Sequence, residues 1–170
     1  MARVAVVVGN PKPASRTRAA AEHLARELTG EAPELVVDLA ELGGRLLDWS
    51  DAEVPALVEQ VAAADLVVVA SPTYKATYTG LLKLFLDRFA PARGTGLTGV
   101  AVPLMLGGGP EHSLAPELTL RPVLSEIGAP LTTAGLYVLD SHHDDPTAYE
   151  AWLGRVRPLL TPLLTTGVPA

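Results

Sequence analysis

Five short apolar runs, rich in β-branched residues, constrain this fold more than any other feature of the chain: Arg3 to Val8, Leu35 to Leu39, Leu66 to Ala70, Val100 to Leu106 and Thr133 to Leu139. A strand that alternates apolar and polar residues keeps one wet face. A continuous run such as Val4-Ala5-Val6-Val7-Val8 is dry on both faces, the pattern of parallel-sheet strands covered by helices. Between the runs the period becomes helical. Ala20, Leu24 and Leu28 fall on one stripe of Thr17 to Leu28, and Leu82, Phe85, Leu86 and Phe89 on one stripe of Tyr78 to Phe89. Ser50-Asp51-Ala52-Glu53 reads as a capping box. Asp145-Pro146 sets a capping acid before a first-turn proline. The last helix is expected from about Pro146 to Leu160, with Pro158 and Pro162 breaking or kinking its end and Gly167 to Ala170 as a frayed tail.

Parallel neighbours joined by helices require right-handed crossovers, so this alternation predicts a doubly wound sheet. Five strands predict a flavodoxin-like α/β fold of order 2-1-3-4-5 with helices on both faces, in one domain over residues 1–170. A chain of 170 residues is long enough to bury such a core. Gly43-Gly44 and Pro91 to Gly96 read as loops within it. The net charge of −6, with acids spread along the chain, argues against nucleic acid as a partner. There is no cysteine, which removes disulfides, thiolate zinc sites and thiol redox chemistry. The opening MARVAVVVGNP has too short an apolar run for a leader or a membrane span, so a cytoplasmic location is expected.

In such a sheet ligands bind beyond the carboxyl ends of the strands, near the switch between strands 1 and 3, and three loops should carry the chemistry. The first, Gly9 to Thr17, is crowded with hydroxyl, amide and basic groups at a helix start. The N–H groups of the first helical turn lack internal partners and the helix dipole adds positive potential, so Ser15, Thr17, Arg16 and Lys12 suit a phosphate. Neither a P-loop spacing nor a G-x-G-x-x-G follows this strand, so a terminal monophosphate fits better than ATP or a dinucleotide. The purely structural alternative is that Ser15 caps the helix and the cations are solvated. A G-x-G-x-x-G does occur at Gly94 to Gly99, but it precedes a strand and opens no helix, so it reads as a turn.

The second loop, Ser71 to Gly80, sets Tyr74, Lys75 and Tyr78 at the mouth of the sheet in a chain with only 5% aromatic residues, a grouping able to flank a planar ring. Tyr78 packed under the following helix and Lys75 in solvent are the structural alternatives. In the third loop, Gly107-Gly108-Gly109 lets backbone amides approach a ligand without a Cβ in the way. His112 receives no catalytic role, because chemistry carried by a bound cofactor needs no protein base. His142-His143-Asp144-Asp145 lacks further ligands at metal spacing and reads as a solvated loop with a helix cap.

Together these loops resemble the NAD(P)H-dependent FMN reductase family, especially the flavin reductases of two-component monooxygenase systems such as those for alkanesulfonates. Gly9 to Thr17 resembles the family's phosphate loop, with Asn10 in place of serine and Lys12 in place of arginine. Ser71 to Lys83 resembles its P-x-Y-K-x-x-[YF]-[ST]-G-x-[LF]-K segment, and Gly107-Gly108 through Leu124 its fourth-strand loop and helix. Leu118 stands where some of these reductases carry an aromatic residue, so neither a helix bulge nor a flavin-stacking role is expected there. The resemblance implies that Asn10, Ser15, Arg16 and Thr17 hold the FMN phosphate, that Pro72, Thr73, Tyr74 and Lys75 border the isoalloxazine, and that Gly107 and Gly108 meet its pyrimidine edge. It also implies NADPH or NADH as hydride donor, a homodimer or homotetramer, and a flavin-dependent monooxygenase partner. The rivals are a reductase that retains FMN and acts on quinones, azo compounds or metal oxyanions, and a flavodoxin-like electron carrier.

Overall fold

The computed structural model describes residues 2–166. Strands β1 (Val4–Val8), β2 (Leu35–Asp38), β3 (Leu66–Pro72), β4 (Val100–Gly107) and β5 (Leu131–Thr132) are parallel, and the sheet order is β2-β1-β3-β4-β5 as predicted. Period-two burial sorts each strand between two cores. Ala5, Val7, Val67, Val69, Ala101 and Met105 face α3 (Glu53–Ala62), α4 (Gly80–Leu86) and α5 (Arg121–Glu126). Val4, Val6, Val8, Val68, Val102 and Leu104 face α1 (Arg16–Thr29) and α6 (Thr147–Thr166).

The expected fifth strand, Thr133 to Leu139, forms only from Leu136, and a separate two-residue strand precedes it, which makes the sheet six-stranded. Both β5 (Leu131–Thr132) and β6 (Leu136–Leu139) pair with β4, at registers Val100↔Leu131 and Leu104↔Leu136, so three residues oppose Val102 and Pro103. The Thr133 N–H donates to Ala101 O, so Ala101 and, two residues on, Pro103 face this neighbour. Proline has no N–H to give there, and the ladder breaks into a bulge. Its polar groups find partners outside the sheet: Ala134 O accepts from Trp152 Nε1 at 3.0 Å, and the Gly135 N–H donates to Glu117 Oε2 at 2.7 Å.

Helix details differ from expectation in four places. Ser50 turns its hydroxyl and N–H to Asp48, and Asp51 accepts the Glu53 and Val54 N–H groups, so Asp51 caps α3 without a reciprocal box. Helix α4 begins at Gly80 and not at Tyr78, because Thr79 is its cap and accepts from the Leu82 N–H. The two prolines do not end α6, which runs to Thr166. Burial of Trp152, Leu153, Val156 and Leu160, about 1.5–3 kcal/mol each, exceeds the ~3 kcal/mol of an interior proline. The expected tail from Gly167 lies outside the described residues. A π-helix, Pro116–Leu120, precedes α5, contrary to the expectation that no bulge forms around Leu118. The Arg121 N–H reaches back five residues to Pro116 O, while Pro122 has no N–H to close a normal turn.

Tyr149, fully buried in α6, donates its hydroxyl to His143 O at 2.6 Å and meets His23 edge-on. Burial, aided by the charge of Asp144, pushes its phenol up to about 12. An unfolded tyrosine titrates near ~10, so below that pH both states hold the proton and this stability is intact. As pH rises through about 10 to 12 only the unfolded form ionises, and about 2–3 kcal/mol is lost. Tyr149→Phe should therefore show a shallower alkaline decline in urea-unfolding free energy than the parent; equal declines would contradict this.

Candidate functional site

The β1–α1 loop is built by its own side chains. Asn10 donates from Nδ2 to Thr17 Oγ1 at 2.9 Å and accepts the Lys12 N–H at 2.9 Å. Ser15 is the cap, its hydroxyl accepting the Arg18 N–H at 3.3 Å. The structure thus brings Asn10, Ser15 and Thr17 together, with Thr17 buried and Arg16 and Lys12 exposed around the first turn of α1. Arg16 Nη1 is ion-paired with Asp140 Oδ2, from the 3-10 turn Asp140–His142 that follows β6.

Several residues that set this geometry were not singled out from the sequence. Asp38, its side chain buried at the end of β2, accepts the Ala14 N–H at 3.1 Å and caps the short α2 (Leu39–Leu42), with Arg18 at 3.5 Å. That bond pins Ala14, whose φ is +49°. An acid closing an apolar strand was the available signal. Thr79 joins the first two loops: its hydroxyl donates to Gly9 O at 2.5 Å, and its N–H reaches Ser71 Oγ at 3.0 Å. Gly9 is required because a Cβ there would lie 2.5 Å from Leu82 Cβ.

The second loop leaves the sheet as expected. Pro72 is the last residue of β3, and the Thr73 N–H continues the ladder to Leu106 O at 2.6 Å. Tyr74 and Thr77 then exchange backbone bonds around Lys75 and Ala76, both with positive φ, +52° and +68°. A turn with two left-handed central residues normally holds Asn or Gly, so Lys75 sits on strained backbone that aims it outward. Tyr74 is half exposed, whereas Tyr78 packs against the core, as its structural alternative anticipated.

In the third loop the glycines have separate reasons. A Cβ on Gly107 would run onto the Tyr137 hydroxyl and lie 2.7 Å from Cζ, so packing dictates that glycine. Tyr137 donates to Gly109 O at 2.7 Å and holds the loop from beneath. Burial pushes its phenol above the ordinary range, with Thr73 beside it acting the other way. Gly108 has nothing within 4 Å of its Cβ position and faces open space. The Thr73 hydroxyl is buried there with no hydrogen-bond partner of normal geometry. His112 lies exposed on the turn Pro110–His112.

All three loops leave carboxyl ends of strands. Grooves of about 410 and 540 Å³ open elsewhere, beside Val4, Leu28 and Leu164 and beside Leu35, Ala56 and Gln60, and contain no residue of these loops. The loops carry Lys12, Arg16 and Lys75, whereas Arg3 is the one cation lining these two grooves. The Gly94 to Gly99 motif forms a turn before β4, with Gly94 at φ +86° and no helix to present to a pyrophosphate. Among the described residues no helix is long and apolar enough to cross a membrane.

A doubly wound parallel sheet of this order, with a capped helix N-terminus and two further loops at its switch point, defines an α/β protein of the flavodoxin-like class. The chain belongs to the NADPH-dependent FMN reductase family, whose model matches residues 2–144. It is 34% identical to the FMN reductase (NADPH) of Escherichia coli K12 over 96% of this chain and 83% of that protein. It is 33% identical to the NADH-dependent FMN reductase SfnF of Pseudomonas putida, over 87% and 86% respectively. Among solved structures it superposes on the apo form of the NADH:FMN oxidoreductase EMOB with a TM-score of 0.81 and 26% identity, covering 99% of this chain and 92% of that one.

Proposed function

We propose that this chain is an NAD(P)H-dependent FMN reductase, formed as one domain, that binds the flavin across the three loops and hands it on reduced to a flavin-dependent monooxygenase. The observation that carries the reading is the convergence of a capped α1 N-terminus, with Arg16 on it and Lys12 in the loop before it, with the open Gly108 and the buried Thr73 hydroxyl beside Tyr137 on one edge of the sheet. These residues fit FMN. A monophosphate carries charge that α1 N–H groups and two cations match, and a flat ring with polar edges needs backbone access at a position without a side chain.

Bound FMN supplies a ring that accepts hydride at N5 from the nicotinamide C4, and the chemistry belongs to the two cofactors. The protein's part is placement. Asn10 and Thr17 keep the first loop closed on itself, so the α1 N–H groups and the Ser15 and Thr17 oxygens stand at the phosphate, with Arg16 adding a charge-assisted contact. Pro72 and Thr73 at the end of β3, with Tyr74 and Lys75 on the turn beyond, would border the ring, and the backbone of Gly107 and Gly108 would meet its pyrimidine edge. No tryptophan stands among these loops: Trp152 is buried against Ala134, and Trp49 stacks on Arg88. One ring face is thereby left to the nicotinamide. The exposed Leu47, Trp49, Leu114 and Leu118 support association into a homodimer or homotetramer, and the cysteine-free composition suits the cytoplasm.

With saturating NADH or NADPH, the oxidation rate should rise with added FMN and saturate at a micromolar concentration, within the usual span of about 1 μM to 1 mM. Protein that keeps stoichiometric FMN through dialysis and does not oxidise NAD(P)H would establish the carrier instead.

A further inference from the structure

The arginines around the first loop are already matched by carboxylates. Arg18 meets Glu22 at 2.7 Å, Glu41 at 3.4 Å and Asp38 at 3.5 Å. Arg16, the cation best placed on the first turn of α1, is held by Asp140. Among the described residues Lys12 takes part in no ion pair, so of these three cations it alone carries uncompensated charge.

The two acids nearest the loop differ in kind. Asp38 is buried and bonded to backbone N–H groups of Ala14 and Ala40, so it is part of the loop's construction. Asp140 is partly exposed, its side chain 40% accessible, and among the described residues its carboxylate hydrogen-bonds Arg16 alone. It comes from the strand on the other side of β3 and β4, on the turn after β6, and adds nothing to the loop's backbone.

We infer that Asp140 is an affinity-setting residue that competes with the FMN phosphate for Arg16 and so keeps the flavin exchangeable. The inference rests on the reading that this loop receives the phosphate. A phosphate arriving at the α1 N-terminus either draws Arg16 away from Asp140 or shares one guanidinium with a second anion. Both routes lower affinity and speed release, as suits a protein that passes its flavin on. Riboflavin has no phosphate and does not meet this competition.

The test is Asp140→Asn, which keeps the side chain's size and removes its charge. Dissociation constants for FMN and riboflavin are measured by flavin fluorescence on parent and variant, and FMN release by stopped flow. The variant should bind FMN roughly three- to tenfold more tightly and release it more slowly, with riboflavin changed by less than about twofold. A merely structural role for Asp140 would move both flavins together. FMN affinity unchanged or weakened, or riboflavin tightened equally, overturns the inference. Parent protein that binds FMN no better than riboflavin overturns the phosphate site and this inference with it, a result visible before the variant is made.

Discussion

Gly99→Ala should destabilise the protein by about 3 kcal/mol, the upper end of overpacking costs, and lower Tm by roughly 6–12 °C for a chain of this size. The new Cβ would sit within 2.5 Å of Asp65 C and nearer still to the Ala64 and Asp65 carbonyl oxygens. These are backbone atoms at the entry to β3, where Asp65 O also accepts the Val100 N–H, so they have no rotamer into which to retreat. Gly44→Ala is the control: nothing lies within 4 Å of its Cβ position and its φ is not in the left-handed region. Thermal unfolding of the pair should show a large loss for Gly99 and almost none for Gly44. Equal melting would mean that the turn before β4 is looser than its geometry implies. The same contact explains the Gly94 to Gly99 pattern, whose last glycine admits a close strand approach and serves no dinucleotide.

Arg16→Ala should weaken FMN about tenfold while leaving riboflavin almost unchanged. A charge-assisted bond to phosphate contributes about 1.5–3 kcal/mol, and the Asp140 pair that Arg16 gives up offsets part of it, leaving about 1.4 kcal/mol or a little more. Stability should barely move, since the lost ion pair is exposed on both sides. Titrations of both flavins check this directly, and equal losses for the two would remove Arg16 from the phosphate site.

The sheet was legible because its cause is local. Val4 to Val8 and Leu66 to Ala70 are apolar at every position, and only a strand with helices on both faces buries every side chain of such a run. The helical stripes were legible for the same reason, and Leu82, Phe85, Leu86 and Phe89 are all buried as their spacing requires. Element ends were less so. Ser50 and Asp51 both satisfy capping chemistry, and the competition was decided by Asp48, which takes Ser50 for itself. Prolines in the last helix looked like breakers because propensity counts the missing hydrogen bond and not the apolar face that holds the helix down.

By itself the sequence determined the buried parallel strands, the loops that leave them, and the residue types able to meet a phosphate and a flat polar ring, because each depends on patterns within about ten neighbours, and the crossover rule then gave the strand order. Tertiary structure decided which of those groups are engaged. Arg16 meets Asp140 from 124 positions away, Ala14 is pinned by Asp38, and Gly107 is bare because Tyr137 lies beneath it. The π-helix and the break between β5 and β6 belong together: Glu117 in the wide turn accepts the Gly135 N–H that the bulge leaves unpaired. Burial pushes the Glu117 carboxyl up, but that N–H and Arg121 outweigh it and hold it below its ordinary value. A hydrogen bond between residues remote in sequence leaves no period or motif in either segment, and only the packed sheet brings its two ends together.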